Sequence, residues 1–277
     1  MDSSGYSALR VRCASHVAWV TIDHPPINLL DLVLIQELAR LAETLEADPE
    51  VRVVVVQSAN PEFFVAHADV GLLRSLHDPP PARVANELGF FHAMVDRFRA
   101  MPKATIAKIE GIARGGGSEL VLAFDMRFGA LGRAVLGQPE VALGIVPGGG
   151  GTQRLPRLVG RARALEIVLG GDDVPADLAE RWGYLNRALP PAELGPFVER
   201  LARRIAAFPP HAVALAKAAI AAAEAPLAPG LQEEERLFWH ALASPEARQR
   251  MERFLEAGGQ TAAVERELQR LIETLCD

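Results

Sequence analysis

The chain predicts an α/β body followed by a helical segment, and three observations carry that expectation. Over the first ~160 residues, β-branched and apolar runs alternate with stretches of helical apolar spacing. Beyond that point strand signals become scarce and Ala-rich helical patterns take over. With 49% hydrophobic content in 277 residues there is enough apolar material for a real core, which excludes disorder. At ~150 residues per unit the length fits two domains, or one large body with an appendage.

Taken in order, Val17–Ile22 reads as a strand closed by the turn chemistry of Asp23-His24-Pro25-Pro26. Asp31 then suits a helix cap, because Leu34, Ile35, Leu38, Leu41, Ala42 and Leu45 follow at helical spacing. Asp48-Pro49-Glu50 ends that helix, and Val51 to Val56 is a near-continuous β-branched run, broken only by Arg52, suited to a strand buried on both faces. After Asn60-Pro61 and the tract Pro79-Pro80-Pro81, residues ~82–100 predict another helix. Thr105–Ile109 is a strand that runs into Gly111-Ile112-Ala113-Arg114-Gly115-Gly116-Gly117, and Ser118 suits the N-cap of the next helix. Further helices are expected at ~161–170, 175–183, 192–207, 211–224, 231–243, 245–257 and 261–275. The change of character places a soft boundary near 195–210.

Charge narrows the function classes. Twenty-nine Lys and Arg against 35 Asp and Glu give a net charge of −6, which argues against attraction to nucleic acid through a basic surface. The two cysteines, Cys13 and Cys276, form neither a disulfide framework nor a metal-type spacing. The opening MDSSGYSALRVRC lacks the apolar run of a signal peptide, and ~18 uninterrupted apolar residues occur nowhere. A reduced, cytoplasmic protein outside the membrane is the expectation.

Glycines are the first candidates for a site. Gly115-Gly116-Gly117, between a strand and a helix, lets backbone approach a ligand and aims N–H groups at it. A plain tight turn explains the same run. It is no phosphate loop of the GxxxxGK(S/T) kind, and no GxGxxG fingerprint accompanies it. Glu119 follows directly, and Glu140 lies 21 residues on, enough chain for a helix and a strand to return to one place. Two carboxylates beside oriented donors would supply an acid, a base and an oxyanion site, while two solvated surface acids remain the plain alternative. The seven histidines show neither HExxH nor a close helical pair, so no metal site is expected. Arg154, Arg157, Arg161 and Arg163 read as a solvated helix face, with a phosphate contact as the alternative.

Four ordered segments resemble the enoyl-CoA hydratase/isomerase (crotonase) superfamily over residues ~15–220. His24-Pro25-Pro26-Ile27-Asn28-Leu29-Leu30 is similar to the loop after the family's first strand. Phe63-Phe64-Val65-Ala66-His67-Ala68-Asp69-Val70 resembles its F-x-A-G-A-D segment, and Gly111 to Leu120 its G-x-A-x-G-G-G-x-E-L motif. Gly137-Gln138-Pro139-Glu140 through Leu155 resembles Q-P-E … G-x-x-P-G-x-G-G-T-Q-R-L. The resemblance implies a crotonase-like spiral core of ββα turns over residues 1–200. A helical oligomerisation region over 201–277 would build trimers or hexamers.

The resemblance also implies an acyl-CoA thioester substrate and no separate cofactor. The thioester oxygen would be held by the backbone N–H groups of Ala68 and Gly116. Ile27, Ala66, His67, Asp69, Val70 and Gly115 would contact substrate or CoA. Glu119 would activate water and Glu140 would supply the proton at the α-carbon, which is hydration of a 2-enoyl-CoA. Alternatives are a Δ3-Δ2 isomerase or other crotonase-type reaction, and a catalytically weak CoA-ligand-binding protein. RNA binding, known for a divergent branch, is disfavoured by the net charge of −6. Two departures from the family stand out: His67 replaces the usual glycine, and the tail after ~244 lacks the E-G-x-x-A-F-x-E-K-R pattern. If the glycine position requires positive φ, histidine there costs about 1–2 kcal/mol.

Overall fold

A computed structural model describes residues 5–76, 88–221 and 228–275. Ten strands are described: β1 Leu9–Ala14, β2 Val17–Ile22, β3 Val53–Ser58, β4 Phe63–Val65, β5 Ala104–Ile109, β6 Ile112–Arg114, β7 Met126–Ala130, β8 Val135–Gly137, β9 Val174–Pro175 and β10 Arg187–Leu189. They form a six-stranded sheet, β1-β2-β3-β5-β7-β10, and a four-stranded sheet, β4-β6-β8-β9. The expected ββα turns follow from this order. β3, β5 and β7 lie side by side and parallel in the first sheet, and β4, β6 and β8 do so in the second. Each turn of the spiral therefore gives one strand to each sheet.

The helices are α1 Leu32–Ala47, α2 Val70–Ser75, α3 Phe90–Ala100, α4 Gly116–Leu122, α5 Gly151–Val159, α6 Arg161–Gly170, α7 Ala176–Trp182, α8 Pro191–Ala206, α9 Pro210–Ala221, α10 Ala228–Leu242, α11 Pro245–Glu256, α12 Ala262–Glu265 and α13 Leu268–Leu275. Asp31 caps α1 by accepting from the Leu34 N–H at 2.9 Å. That helix buries Leu34, Leu38, Leu41, Ala42 and Leu45 on one face, each leucine contributing about 1.5–3 kcal/mol. The main core fills the space between the two sheets and under α1, α3 and α4. A second cluster lies on the other face of the large sheet, where Leu194, Val198, Ala202 and Ala206 of α8 cover Val53, Val55 and Ile106.

Three expectations need correction. Ser118 does not cap α4; Gly115 does, at φ 48°, and Ser118 lies inside the helix, fully buried. The helix expected at 261–275 is two short ones, α12 and α13. Arg154 is buried rather than solvated, its Nη1 donating to the Gly149 carbonyl at 3.0 Å, whereas Arg157, Arg161 and Arg163 are exposed. The helix expected at ~82–100 is α3 from Phe90; its earlier part, the proline tract 79–81, His77, the end of the 211–224 helix and Cys276 lie outside the described residues.

Candidate active site

The site begins where β4 ends. Asn28 is fully buried, and its amide donates to the carbonyls of Phe63 (3.1 Å) and Phe64 (3.0 Å), so the 24–30 loop is tied to this strand. Leu30 then forms a bridge with Ala68, donating to the His67 carbonyl and accepting from the Asp69 N–H. That pairing leaves the Ala68 N–H out of the ladder. Ile27 and Ala66 are fully buried with Phe63 and support β4 from behind; neither side chain reaches the cleft. Asp69 caps α2 through the Gly71 N–H at 2.8 Å.

The neighbouring strand, β6, delivers the second donor. Gly115 turns with positive φ, and Gly116 opens α4, where an N–H has no intrahelical acceptor. A Cβ on Gly116 would come within 3.2 Å of Ala68 Cβ and 3.5 Å of Ala68 N, so the two segments pack closely and a larger residue would have to push them apart. A Cβ on Gly115 would meet Glu140 Oε1 at 3.1 Å and His67 Cβ at 3.5 Å. Ala68, Gly116, Glu140 and His67 therefore share one small volume.

Both sequence-selected acids are buried, Glu119 with 4% and Glu140 with 8% of its surface exposed. Glu119 Oε1 accepts from the N–H groups of Gly149 (2.7 Å) and Gly151 (2.9 Å) at the start of α5. The intervening amides go to a third carboxylate. Glu234 of α10 accepts from Gly150 N–H (2.6 Å) and Thr152 N–H (2.7 Å), and lies 3.1 Å from His92 Nε2. Four successive amides of one helix N-terminus thus alternate between two buried acids, a place where the unsatisfied N–H groups and the helix dipole favour negative charge.

Burial, then the charge of Glu234, pushes Glu119 up to about 7, against the two glycine N–H groups and His92, which act the other way. Glu140 is raised well above the ordinary carboxyl range by burial and by the charge of Glu119. With its amide nitrogen turned to Glu140, Gln138 donates to both carboxylate oxygens (3.1 and 3.2 Å) and accepts from Ser118 Oγ. Ser118 in turn bonds Tyr184.

His67 is in ordinary backbone conformation, so the feared strain is absent. Its Nδ1 faces the Ala68 carbonyl at 2.8 Å and its Nε2 faces Glu265 Oε1 at 2.9 Å. Burial pushes Glu265 upward, but the His67 hydrogen bond and charge, the Gln260 N–H and Arg114 outweigh it, and the carboxyl ends below its ordinary range. Both ring nitrogens of the imidazole thus face oxygen atoms of the chain. Arg114, 2% exposed, forms a two-point pair with Asp173 at 2.7 Å and donates to the Glu265 carbonyl at 2.8 Å.

A cleft opens between this core and the tail. His67, Ala68, Gly115, Gly116 and Glu140 form its polar end, with Val70, Leu73, Leu143 and Ile145 along one wall. Phe254, Leu268 and Ile272 of the tail form the other wall, and about 40 Å³ is free between them, the room of a few waters. Glu119 does not line this cleft; it stands behind the glycine loop.

Of the residues selected from sequence, Glu140, Ala68, Gly115, Gly116, His67 and Val70 meet at this cleft, whereas Glu119, Ile27, Ala66 and Asp69 do not line it. Sequence reasoning missed Glu234, Arg114 and Glu265. A signal existed for Glu234, which falls on the buried face of α10 with Leu231 and Leu242. Little local marked Glu265: one partner is the Gln260 N–H, and the two that tie it to the site, Arg114 and His67, are 151 and 198 residues away.

Known proteins share this architecture. The crotonyl-CoA hydratase of Syntrophomonas wolfei is 40% identical over 194 residues, covering 70% of this chain and 73% of that one. The short-chain-enoyl-CoA hydratase of Clostridium acetobutylicum is 37% identical over 205 residues, 74% of this chain and 77% of that one. A Streptomyces avermitilis crystal structure, described provisionally as an enoyl-CoA hydratase, superposes with a TM-score of 0.91 at 41% identity, covering 98% of this chain and 99% of its own. The family model described as "Enoyl-CoA hydratase/isomerase" matches residues 12–261. With its spiral of ββα turns and its glycine-flanked acid pair, this chain belongs to the enoyl-CoA hydratase/isomerase (crotonase) superfamily.

Proposed function

We propose that this protein adds water reversibly across the double bond of a 2-enoyl-CoA. The observation that carries the reading is the meeting of Glu140, the Ala68 and Gly116 backbone and, behind them, Glu119 at one buried place. The thioester oxygen would accept from the Ala68 and Gly116 N–H groups, which are fixed before negative charge develops on it. A donor of this kind is worth about 10²–10³ in rate.

Glu140, held protonated by burial, would give its proton to the α-carbon, and Glu119, partly ionised near neutral pH, would take one from water as it attacks the β-carbon. The hydration rate is then expected to fall as pH drops below about 7, where Glu119 becomes protonated. The likeness to named crotonyl- and short-chain-enoyl-CoA hydratases supports the same reaction class.

The test is loss of the conjugated enoyl-thioester absorbance with 2-enoyl-CoAs of increasing chain length. Turnover by the wild type that falls at least ~10²-fold in both Glu119→Gln and Glu140→Gln is the expected outcome. Binding of CoA thioesters without turnover at any length would leave a ligand-binding protein instead. One observation favours a second reading, Δ3-Δ2 isomerisation, which needs a single acid: Glu140 faces the cleft and Glu119 does not. Conversion of a 3-enoyl-CoA that survives Glu119→Gln would select it. We further infer self-association in the cytoplasm through α9, whose Leu215 and Ile220 are 68% and 72% exposed.

A further inference from the structure

Glu265 lies on α12, far from the acid pair in sequence and outside the catalytic chemistry described above. Its side chain is fully buried, and its Oε1 accepts from the Gln260 N–H at 2.8 Å as well as facing His67. Arg114 Nη1 donates to its backbone carbonyl, which a side-chain substitution leaves in place, and lies 3.8 Å from its Oε2. Gln260 adds a third link, donating from Nε2 to Asp69 Oδ1 at 3.0 Å. His67 and Asp69 flank Ala68, and Arg114 precedes Gly115 and Gly116. One short stretch, 260–265, therefore grips both backbone segments that carry the two N–H donors. The His67 ring is the connecting piece on one side: it bonds the Ala68 carbonyl, and Phe254 of α11 holds it edge-on with ring centres 5.8 Å apart.

From this geometry we propose that Glu265 is a positioning residue for the oxyanion site. It acts through His67 on Ala68 and through Arg114 on Gly116, and it sets the spacing of the two donors. The proposal rests on the reading of Ala68 and Gly116 as the thioester oxygen's partners. Displacing a catalytic group by about 1 Å costs on the order of 10²-fold in rate, and two donors shared by one oxygen are sensitive to their mutual distance. His67 makes this device particular to a chain with an imidazole there, because a glycine offers no ring nitrogen to Glu265.

The experiment compares wild type, Glu265→Ala and Glu265→Gln in two readouts. One is kcat and KM for 2-enoyl-CoA hydration. The other is the absorbance shift of a bound aryl-enoyl-CoA, whose conjugated thioester moves to longer wavelength when its carbonyl oxygen is polarised by hydrogen bonds. Glu265→Ala is expected to lower kcat about 10–100-fold with KM within about threefold, and to lose most of the shift while still binding the probe. Glu265→Gln, which keeps an acceptor oxygen and the volume, is expected to recover part of both. It also serves as the test variant if the alanine protein does not fold.

A bound probe shifted as in wild type in both variants would overturn the proposal, whatever happens to kcat. A wild type that binds the probe without any shift would overturn the oxyanion reading itself, and the positioning role with it. A wild type that shifts the probe but hydrates nothing would sink the hydratase reading alone, and the two variants would still decide the role of Glu265 from the shift.

Discussion

Two settings for buried carboxylates, one at the glycine loops and one on the tail, behave in opposite ways. On the glycine-loop side, Glu119, Glu140 and Glu234 crowd together with backbone amides and His92 as their main company, and proton affinity rises at Glu119 and Glu140. On the tail side, Glu265 is just as deeply buried, yet its proton affinity falls, because His67 and Arg114 face it. Depth is similar and the sign differs. Desolvation alone pushes every carboxyl up; partner charge decides whether the group ends as an acid that can trade protons or as a permanent anion that holds structure. The first kind suits chemistry, the second suits anchoring.

The comparison breaks most easily at Arg114. Replacing it with Met keeps much of the volume and strands Glu265 and Asp173 without their shared cation. Denaturant unfolding is expected to show a loss of about 3–5 kcal/mol, and a loss under about 1 kcal/mol would mean the Arg114 contacts are not what holds the tail. A smaller effect is expected from Glu234→Gln, which removes a neighbouring negative charge while keeping the side chain's size. Glu119 should then ionise at lower pH, and the acidic limb of the hydration profile should move the same way, with the plateau rate changed only a few-fold. An unmoved limb would separate Glu234 from Glu119.

The smallest expected effects are slopes. Glu119 binds its proton more tightly folded, at about 7, than at the ordinary 4.5, so its contribution to stability is full below about 4.5 and is lost as pH rises toward 7. Glu265 has the reverse sign: its contribution is present above its unfolded range and is lost as pH falls through the lower folded value. Thermal midpoints against pH should therefore flatten between about 4.5 and 7 in Glu119→Gln, and below about 4.5 in Glu265→Gln. Flattening in the same window for both would end the contrast.

Legibility in the sequence followed the same divide. The glycine-loop side is built from short-range patterns, a strand running into Gly115-Gly116-Gly117 and then Glu119, and a proline before Glu140; these left two solvated acids as the plain alternative, and the family resemblance of the same short segments selected the pair. Asp31 as a cap and the buried face of α1 were legible for the same reason, since spacing and cap chemistry are local. Ser118 misled because a serine before an apolar run satisfies the capping rule, whereas the positive φ of Gly115 had already started the helix. Short strands such as β4, β6 and β9 carry too few residues for a period-2 pattern to emerge. The tail side meets the site through two pairs separated by more than 150 positions, Arg114 with Glu265 and His67 with Glu265, and no window of sequence contains both members. Arg154 illustrates the cost: its helix spacing matched that of three exposed arginines, and only the Gly149 carbonyl and Asp96 explain its burial.

The contact between His67 and Glu265 spans 198 positions. Joining segments so far apart costs chain entropy that closer pairs do not spend, so such contacts form after the local turns of the spiral are in place. During synthesis, β4, β6 and the glycine loop can all be laid down and packed while residue 265 is still to be added. The cleft is therefore open on the tail side for most of the chain's manufacture and gains its second wall last. A growing chain passes through a stage with a finished floor and no roof, exposing Val70, Leu143 and Ile145 until α11 to α13 arrive to cover them.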